Sequence, residues 1–467
     1  MKTDLLYIHI PFCIRKCIYC DFFSVLYDES VAKTYIDALC QELYLKKYFS
    51  TTLKSIYIGG GTPSLLPNDC FRQLFNCLRN NFNFSSSAEI TVEANPGTVN
   101  ESNINTLLSL GVNRLSIGIQ SFNNDELRTL GRIHSSEDAS RSIEIIKKEG
   151  INNFSVDLMY GIPGQTMDSW HNSISTAVGL SPTHISAYEL TPEENTPLYR
   201  MLQKDKIFLQ QCYISPSLMG GPACRPSGRD RGEGENEYKK SPPPYPYPID
   251  GEGNIINGKF PTLAKGGKGG FANKIDMPDE ELILEMYNHA IDYFASCGYE
   301  HYEISNFALP GFKCMHNLNY WDRGEYIGVG TGAHSFINGI RSNNTEDINR
   351  YIEDLNTGII PEIESAKPTS AEALKEFIFL GLRKTEGINI NELPPPIPSL
   401  PRGDIHTSIP HLTRGDIGGY NRLVDASKEL IDEGYLEINR GHLALTRKGI
   451  VISNTIIVRL FERLRLD

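Results

Sequence analysis

No run of this 467-residue chain is apolar for the length a membrane span needs. Basic excess is missing as well: 45 Lys and Arg stand against 57 Asp and Glu, a formal net charge of -12. Neutralising phosphate usually needs the opposite balance, so no nucleic-acid partner is expected. The ten cysteines fall into no regular framework of pairs, which excludes a disulfide scaffold and favours a reducing compartment. The start, MKTDLLYIHIPFC, runs straight into a strand and its cysteines, so neither a signal peptide nor a transit segment is expected. The location expected is cytoplasmic, with peripheral attachment to a membrane left open.

What is present is an alternation of apolar strands and amphipathic stretches. Strand-like runs at Leu5–Ile10, Ser55–Ile58, Ala88–Glu93, Arg114–Ile119, Phe154–Met159 and His184–Glu189 are separated by helix-like runs. Near-continuous apolar strands suit a parallel sheet covered by helices. Residues with chemistry recur where these strands end: GGGTPS at 59–64, EANPG at 93–97, GIQSF at 118–122, DLMYGIPGQT at 157–166 and YELT at 188–191. Sites of barrel-like sheets lie on that rim, so the fold class expected is α/β, a partial (βα)6 TIM-like barrel.

Beyond residue 207 the pattern dissolves. Residues 208–276 are dominated by glycine, proline and charge, and read as a mobile insertion or lid, or as a translation artefact such as a retained intron. Cys212 and Cys224 within it look incidental. An amphipathic helix at Glu280–Cys297 and a strand in HYEISNFA restart the pattern, and 277–365 is expected to complete the barrel. From 366 to 467, helices at Ala371–Arg383 and Tyr420–Glu433, a hairpin at 434–449 and a terminal helix make a winged-helix-like helical domain. The run PPPIPSLPRGDIHTSIPHL within it reads as a surface loop. Lacking a basic recognition helix, that domain reads as a lid or docking module.

The densest chemistry lies in HIPFCIRKCIYCDF, where Cys13, Cys17 and Cys20 follow the first strand with C-x3-C-x2-C spacing. Three thiolates can hold three irons of a [4Fe-4S] cube, at a net charge of about -1, and leave the fourth iron open. Zinc would need a fourth ligand, for which His9 or Asp21 stands near. Gly59, Gly60 and Gly61 end the second strand, where missing side chains permit close backbone approach, and Thr62 adds a hydroxyl.

CxxxCxxC at the first strand with GGGTPS after the second resembles the radical S-adenosylmethionine (SAM) superfamily. The runs HIPFC, CxYCDF, EANPG, LSIGIQSF, LGRIH, DLMYGIPGQT and HISAYELTPEENTP are similar to the group around oxygen-independent coproporphyrinogen III oxidase. The resemblance implies a [4Fe-4S] cluster on the three cysteines and SAM bound against it. It further implies Glu93 near the methionyl and ribose region, Gln120 and Asp157 at ribose or adenosine, and Arg132 at the SAM carboxylate. Tyr7 joins the implied cofactor contacts with Gly59, Gly60, Gly61 and Thr62. A diol suits carboxylate acceptors, and a guanidinium matches a carboxylate.

Two departures separate the chain from the oxidase. That enzyme carries a further cysteine, as CxxxCxxCxC, where this chain has Phe22, and a substantial extension before its first strand. Instead, KCMHNLNYW at 313–321 contains HNxxYW, the signature resembling the haem-chaperone branch called HemW. On that resemblance His316, Asn317, Tyr320 and Trp321 are the haem-binding residues. His316 offers an imidazole, Tyr320 and Trp321 offer flat faces, and Cys314 is a second candidate iron ligand. Read from residues alone, the same run is a packed helix start. EYIGVGTGAHSF at 325–336, with His334, is expected at the same rim as a pocket wall. The partners implied are haem, an apo haem-protein acceptor at a membrane or elsewhere, an electron donor where SAM is cleaved, and a second copy of the chain. An enzyme of this type would be a radical SAM coproporphyrinogen dehydrogenase.

Overall fold

The computed structural model describes residues 3–203, 277–390 and 417–466. The expected insertion at 208–276 and the proline-rich run at 394–412 lie outside the described residues.

Six parallel strands pair in chain order: β1 (Thr3–Ile10), β2 (Ser50–Gly60), β3 (Asn83–Ala94), β4 (Arg114–Gln120), β5 (Phe154–Tyr160) and β6 (His184–Glu189). Alternate residues of these strands, such as Ile56 and Ile58, Ile90 and Val92, Leu115 and Ile117, and Val156 and Leu158, are buried and apolar. Helices α1 (Glu29–Lys46), α2 (Asn68–Asn81), α3 (Glu101–Ser109), α4 (Asn124–Leu130), α5 (Ser136–Lys148) and α6 (Met167–Gly179) lie in the crossovers. Side-chain caps start most of them: Asp28 accepts from the Ser30 and Val31 amides, and reciprocal capping boxes form at Asn100/Asn103, Ser135/Asp138 and Thr166/Ser169.

After α7 (Glu280–Ser296), HYEISNFA departs from the single strand expected. It turns back at Ile304–Ser305 into a hairpin of β7 (Glu300–Glu303) and β8 (Asn306–Ala308), with β8 antiparallel to β6. The Ser305 amide donates to Glu303 Oε2 at 3.3 Å inside that turn. Next come α8 (Met315–Trp321) and β9 (Ile327–Val329), which pairs parallel with the free side of β1. The strand order is β9-β1-β2-β3-β4-β5-β6-β8-β7, a partial barrel with β9 and β7 at its edges.

The turn-rich stretch that follows holds more regular structure than its sequence suggests: β10 (His334–Ile337), β11 (Ile340–Asn344), α9 (Ile348–Asn356) and β12 (Glu362–Ala366). A buried carboxylate ties this part to α1. Glu42, fully buried, accepts from the Gly330 amide (2.8 Å), Asn344 Nδ2 (2.7 Å) and Tyr351 Oη (2.7 Å), and pairs with Lys46 Nζ at 2.7 Å. Lys46 also donates to the Gly328 carbonyl.

The last part comprises α10 (Ser370–Gly381), β13 (Ile388–Asn389), α11 (Ile417–Asp432), β14 (Leu436–Asn439), β15 (His442–Leu445), α12 (Arg447–Val451) and α13 (Ser453–Leu464). Its strands form a small antiparallel sheet in the order β13-β15-β14, over a core of its own that includes Ile378, Leu430, Leu443, Ile456 and Leu460. Helices with a small wing were the expectation here. The module is fixed to the barrel where Ile304 N meets the Arg383 carbonyl (3.0 Å) and Thr385 N the Tyr302 carbonyl (3.2 Å).

Candidate functional site

The loop after β1 carries the three cysteines, all free and half-buried. Phe12–Cys13 pairs with Val25–Leu26 and closes the loop on itself. Burial pushes the Cys13 thiol up, and the Cys20 thiol up to about 11. Cys13 Sγ lies 3.7 Å from Thr62 Oγ1, and Arg132 Nη1 donates to Cys17 Sγ at 3.7 Å. A hydroxyl and a guanidinium beside these sulfurs suit an anionic iron–sulfur group. His9 does not complete a zinc tetrahedron, because Nδ1 meets Tyr7 Oη at 3.0 Å and Nε2 the Phe23 carbonyl at 3.1 Å. Among the described residues no three His, Cys, Asp or Glu side chains converge on a single ion. Sulfurs that each take a different iron need no such convergence.

The close backbone approach that the glycine run permits is made to the end of β1 and to Glu93. Gly60 N donates to Glu93 Oε2 (3.0 Å), Gly61 N to the Ile10 carbonyl (2.8 Å) and Thr62 N to the Phe12 carbonyl (2.8 Å). Side chains are excluded by contact. A Cβ on Gly61 would stand 2.7 Å from the Phe12 carbonyl oxygen, one on Gly60 (φ +113°) 2.6 Å from the His9 ring, and one on Gly59 2.9 Å from the Glu93 carboxyl. The triplet therefore clamps the ends of β1 and β2 together under the cysteine loop.

Arg132 is the hub of the rim. Its Nη2 donates to Asn95 Oδ1 (2.5 Å) and to the Gly118 carbonyl, while Asn95 Nδ2 reaches Thr62 Oγ1 at 2.7 Å. A shallow cleft beside it is lined by Ile14, Cys17, Thr62, Asn95, Thr98 and Arg132, among others. Asn95 went unnoticed in the sequence, although it lies in the quoted EANPG run. Gln120 ends β4 at φ +71°, a left-handed conformation unusual for a residue with a side chain and of the kind that clusters at ligand sites. Asp157 accepts from Ser116 Oγ (2.9 Å) and Ser155 Oγ (3.1 Å), and burial raises its pKa.

Glu93 accepts from Tyr57 Oη at 2.8 Å, yet burial still pushes its carboxyl up to about 7. A raised carboxyl favours the protonated folded form, so its stabilising contribution is complete below pH 4.5 and is lost as pH rises through about 7. Glu303 is raised to about 7 by the same cause. Buried histidines such as His9, His301 and His316, held well below 6.5, pull the other way, so the test is a difference: from pH 4.5 to 7.5 the wild type should lose stability to chemical denaturant relative to Glu93→Gln, and a difference that does not change with pH would contradict the buried acid.

HNxxYW forms α8, and α8 lies against the amino half of the barrel's inner wall. His316 is buried, with Nδ1 at 2.9 Å from Ser55 Oγ and Nε2 at 3.0 Å from Tyr320 Oη. Ser55 precedes Gly60 by five residues, roughly 16 Å of strand. Burial and then the Arg114 charge hold the imidazole down to about 3, so it is neutral, the form that ligates metals. Tyr320 stands edge-on to both His316 and Tyr326, Trp321 is buried, and Asn317 is half-buried. Cys314 is fully buried, burial pushes its thiol up to about 12, and it donates to Glu89 Oε1 at 3.6 Å. It is a protonated donor here, not a thiolate.

EYIGVGTGAHSF spans both ends of the barrel: Tyr326 packs edge-on against Tyr320 of α8, and the glycines beyond it run to the opposite rim. Its Gly330 packs against the His9 carbonyl at the carboxyl-end rim, where a Cβ would stand 2.6 Å from that oxygen. Rings connect the two levels: Tyr7 lies 6.5 Å and Tyr57 5.2 Å from His316, centroid to centroid, and Tyr7 reaches His9 while Tyr57 reaches Glu93. Ser55, Tyr57, Glu89 and Arg114 were not picked out in the sequence. Glu89 accepts from the Met315 and His316 amides at the start of α8, and Arg114, almost wholly buried, has an Nε with no hydrogen-bond partner among the described residues. An arginine opening an apolar strand was the available signal.

Residues 7–177 match the sequence model of the radical SAM superfamily. The heme chaperone HemW of Lactococcus lactis is 30% identical over all of this chain and 98% of its own length, and the HemW of Escherichia coli is 33% identical over 71% of this chain and 70% of its own. The chain belongs to the HemW family. Coproporphyrinogen III oxidase (HemN) from Escherichia coli, a radical SAM enzyme, superposes over 98% of this chain and 90% of its own with a TM-score of 0.68 at 18% identity, a likeness of fold. The radical SAM match implies a [4Fe-4S] cluster and SAM, and the cysteine loop with its neighbouring Thr62 and Arg132 fits such a group.

Proposed function

We propose that this chain is a haem chaperone: it holds a [4Fe-4S] cluster on Cys13, Cys17 and Cys20, binds haem through the HNxxYW helix, and hands haem to an acceptor protein. Similarity to HemW proteins along the whole chain carries the reading, with HNxxYW folded as one short helix around a neutral His316. The cluster, when loaded, supplies one-electron chemistry toward bound SAM. Glu93, Gln120, Asp157 and Arg132 are proposed to orient SAM at the rim, with Tyr7, Gly59, Gly60, Gly61 and Thr62 shaping its bed.

Haem binding then asks for a rearrangement that the hydrogen bonds define. Nε2 of His316 must leave Tyr320 Oη, while Nδ1 keeps Ser55 Oγ, which fixes the tautomer and ring angle. Asn317, Tyr320 and Trp321 are proposed to line the opened site. A holder that has to open before it binds can also close to release, as transfer to an acceptor requires. Docking to a membrane-associated acceptor and pairing with a second copy belong to this proposal, as does the division into residues 1–207, 208–276, 277–365 and 366–467. No helix among the described residues is long and apolar enough to cross a membrane.

Titrating the full chain with haem and following the Soret band tests the site. His316→Ala should remove the band of the bound form. Tyr320→Phe frees Nε2 from a hydrogen bond worth about 1 kcal/mol, so haem should bind roughly 5-fold tighter. Equal binding by wild type and His316→Ala would place haem elsewhere. Decarboxylation of coproporphyrinogen III under anaerobic, reducing conditions would instead favour the oxidase reading.

A further inference from the structure

Away from the cleft, two cysteines that neither cluster nor haem uses face each other between α1 and α2. Cys40 and Cys77 are both free and half-buried, and each thiol shifts the ionisation of the other. The Cys77 thiol also donates to the Cys40 carbonyl at 3.4 Å, and its sulfur accepts from Asn81 Nδ2 at 3.5 Å. The contact joins neighbouring helices in the first two crossovers, those beginning just after the cysteine loop and the GGGTPS loop. Cys70, on the same helix as Cys77, is buried and 2% exposed.

We propose that Cys40 and Cys77 are a dithiol modification site, oxidised to a disulfide between α1 and α2 by a low-molecular-weight disulfide such as oxidised glutathione. The two sulfurs are unequal. Hydrogen bonds from Cys40 and Asn81 lower the Cys77 pKa, whereas the same contact with Cys77, then burial, raises that of Cys40. Cys77 is therefore the attacking thiolate. It gives up its proton and attacks one sulfur of the reagent, whose other half leaves as a thiolate and takes a proton. Cys40 then loses its proton and attacks the Cys77 sulfur, expelling the second half. Two protein thiols are oxidised, one reagent disulfide is reduced to two thiols, and atoms and electrons balance. The product ties together two helices that back the cluster loops.

The test uses the full, cluster-loaded chain held without oxygen and incubated with oxidised glutathione, then digested with trypsin without reduction. The peptides 34–46 and 73–79 each contain one cysteine of the pair, and Cys70 falls in a third, 55–72. The expected result is a joined 34–46/73–79 species lighter by two hydrogens than its parts. In Cys40→Ser, glutathione should remain on 73–79; in Cys77→Ser, where no joined species can form, glutathione on 34–46 should be about 10-fold or more below that level. Absence of the joined species in wild type, or glutathione settling first on Cys40, overturns the proposal.

Discussion

Glu42→Leu should destabilise the chain by about 3–5 kcal/mol, the usual cost of stranding one member of a buried ion pair. Lys46 would keep its charge at 3% exposure with only the Gly328 carbonyl as partner, and the Gly330 amide, Asn344 and Tyr351 would each lose an acceptor. Because those partners lie on α1, in the loop after β9, on β11 and on α9, the loss loosens the rim loop that packs against His9. Adding Lys46→Met removes the stranded charge and should recover part of the loss, though not the three hydrogen bonds to Glu42. Urea unfolding of the three chains gives the comparison. A loss below about 1 kcal/mol in Glu42→Leu would mean that this carboxylate is not the brace described.

Gly61→Ala should empty the cluster site while leaving most of the fold in place. Every atom a Cβ would strike there belongs to backbone: the Phe12 carbonyl oxygen at 2.7 Å, Pro11 C at 2.8 Å and Phe12 N at 2.9 Å. No rotamer change relieves such a clash, and overpacking of this kind costs about 1–3 kcal/mol. The shift falls on the residue before Cys13, and it strains the bonds from Gly61 N to Ile10 and from Thr62 N to Phe12. Gly97→Ala is the control, since nothing lies within 4 Å of a Cβ there. Iron content after anaerobic reconstitution should fall several-fold in Gly61→Ala and stay at the wild-type level in Gly97→Ala. Equal iron in both would contradict the clamp.

The barrel was legible because burial on both faces writes itself into the strands: RLSIGIQ and FSVDLMY can hardly be anything but covered strands. Chemistry on the rim was legible for the same reason, since runs such as GGGTPS and EANPG interrupt that pattern where successive strands end. Placement of α8 was not. His316 and Tyr320 are four residues apart, which sets them on one helical face, but the level of the barrel that face meets depends on Ser55 and Glu89, which lie far away in the chain. The hairpin in HYEISNFA escaped notice because Ile304–Ser305 lacks the glycine or asparagine that usually announces a tight turn. Arg114 hid inside an apolar strand, and only its neighbours show it to be an almost wholly buried cation with an unsatisfied nitrogen.

The inward packing of α8 gives the proposed haem role its sharpest consequence: on that proposal the neutral His316 exchanges Tyr320 for iron and later takes it back. The direct measurement loads the full chain with haem, removes the excess, and mixes it with an apo-globin while the Soret band is followed. The account predicts a bound-haem band that passes to the globin, and none to pass from His316→Ala. Wild-type chain that takes up no haem, or His316→Ala that carries and delivers it equally well, would contradict it.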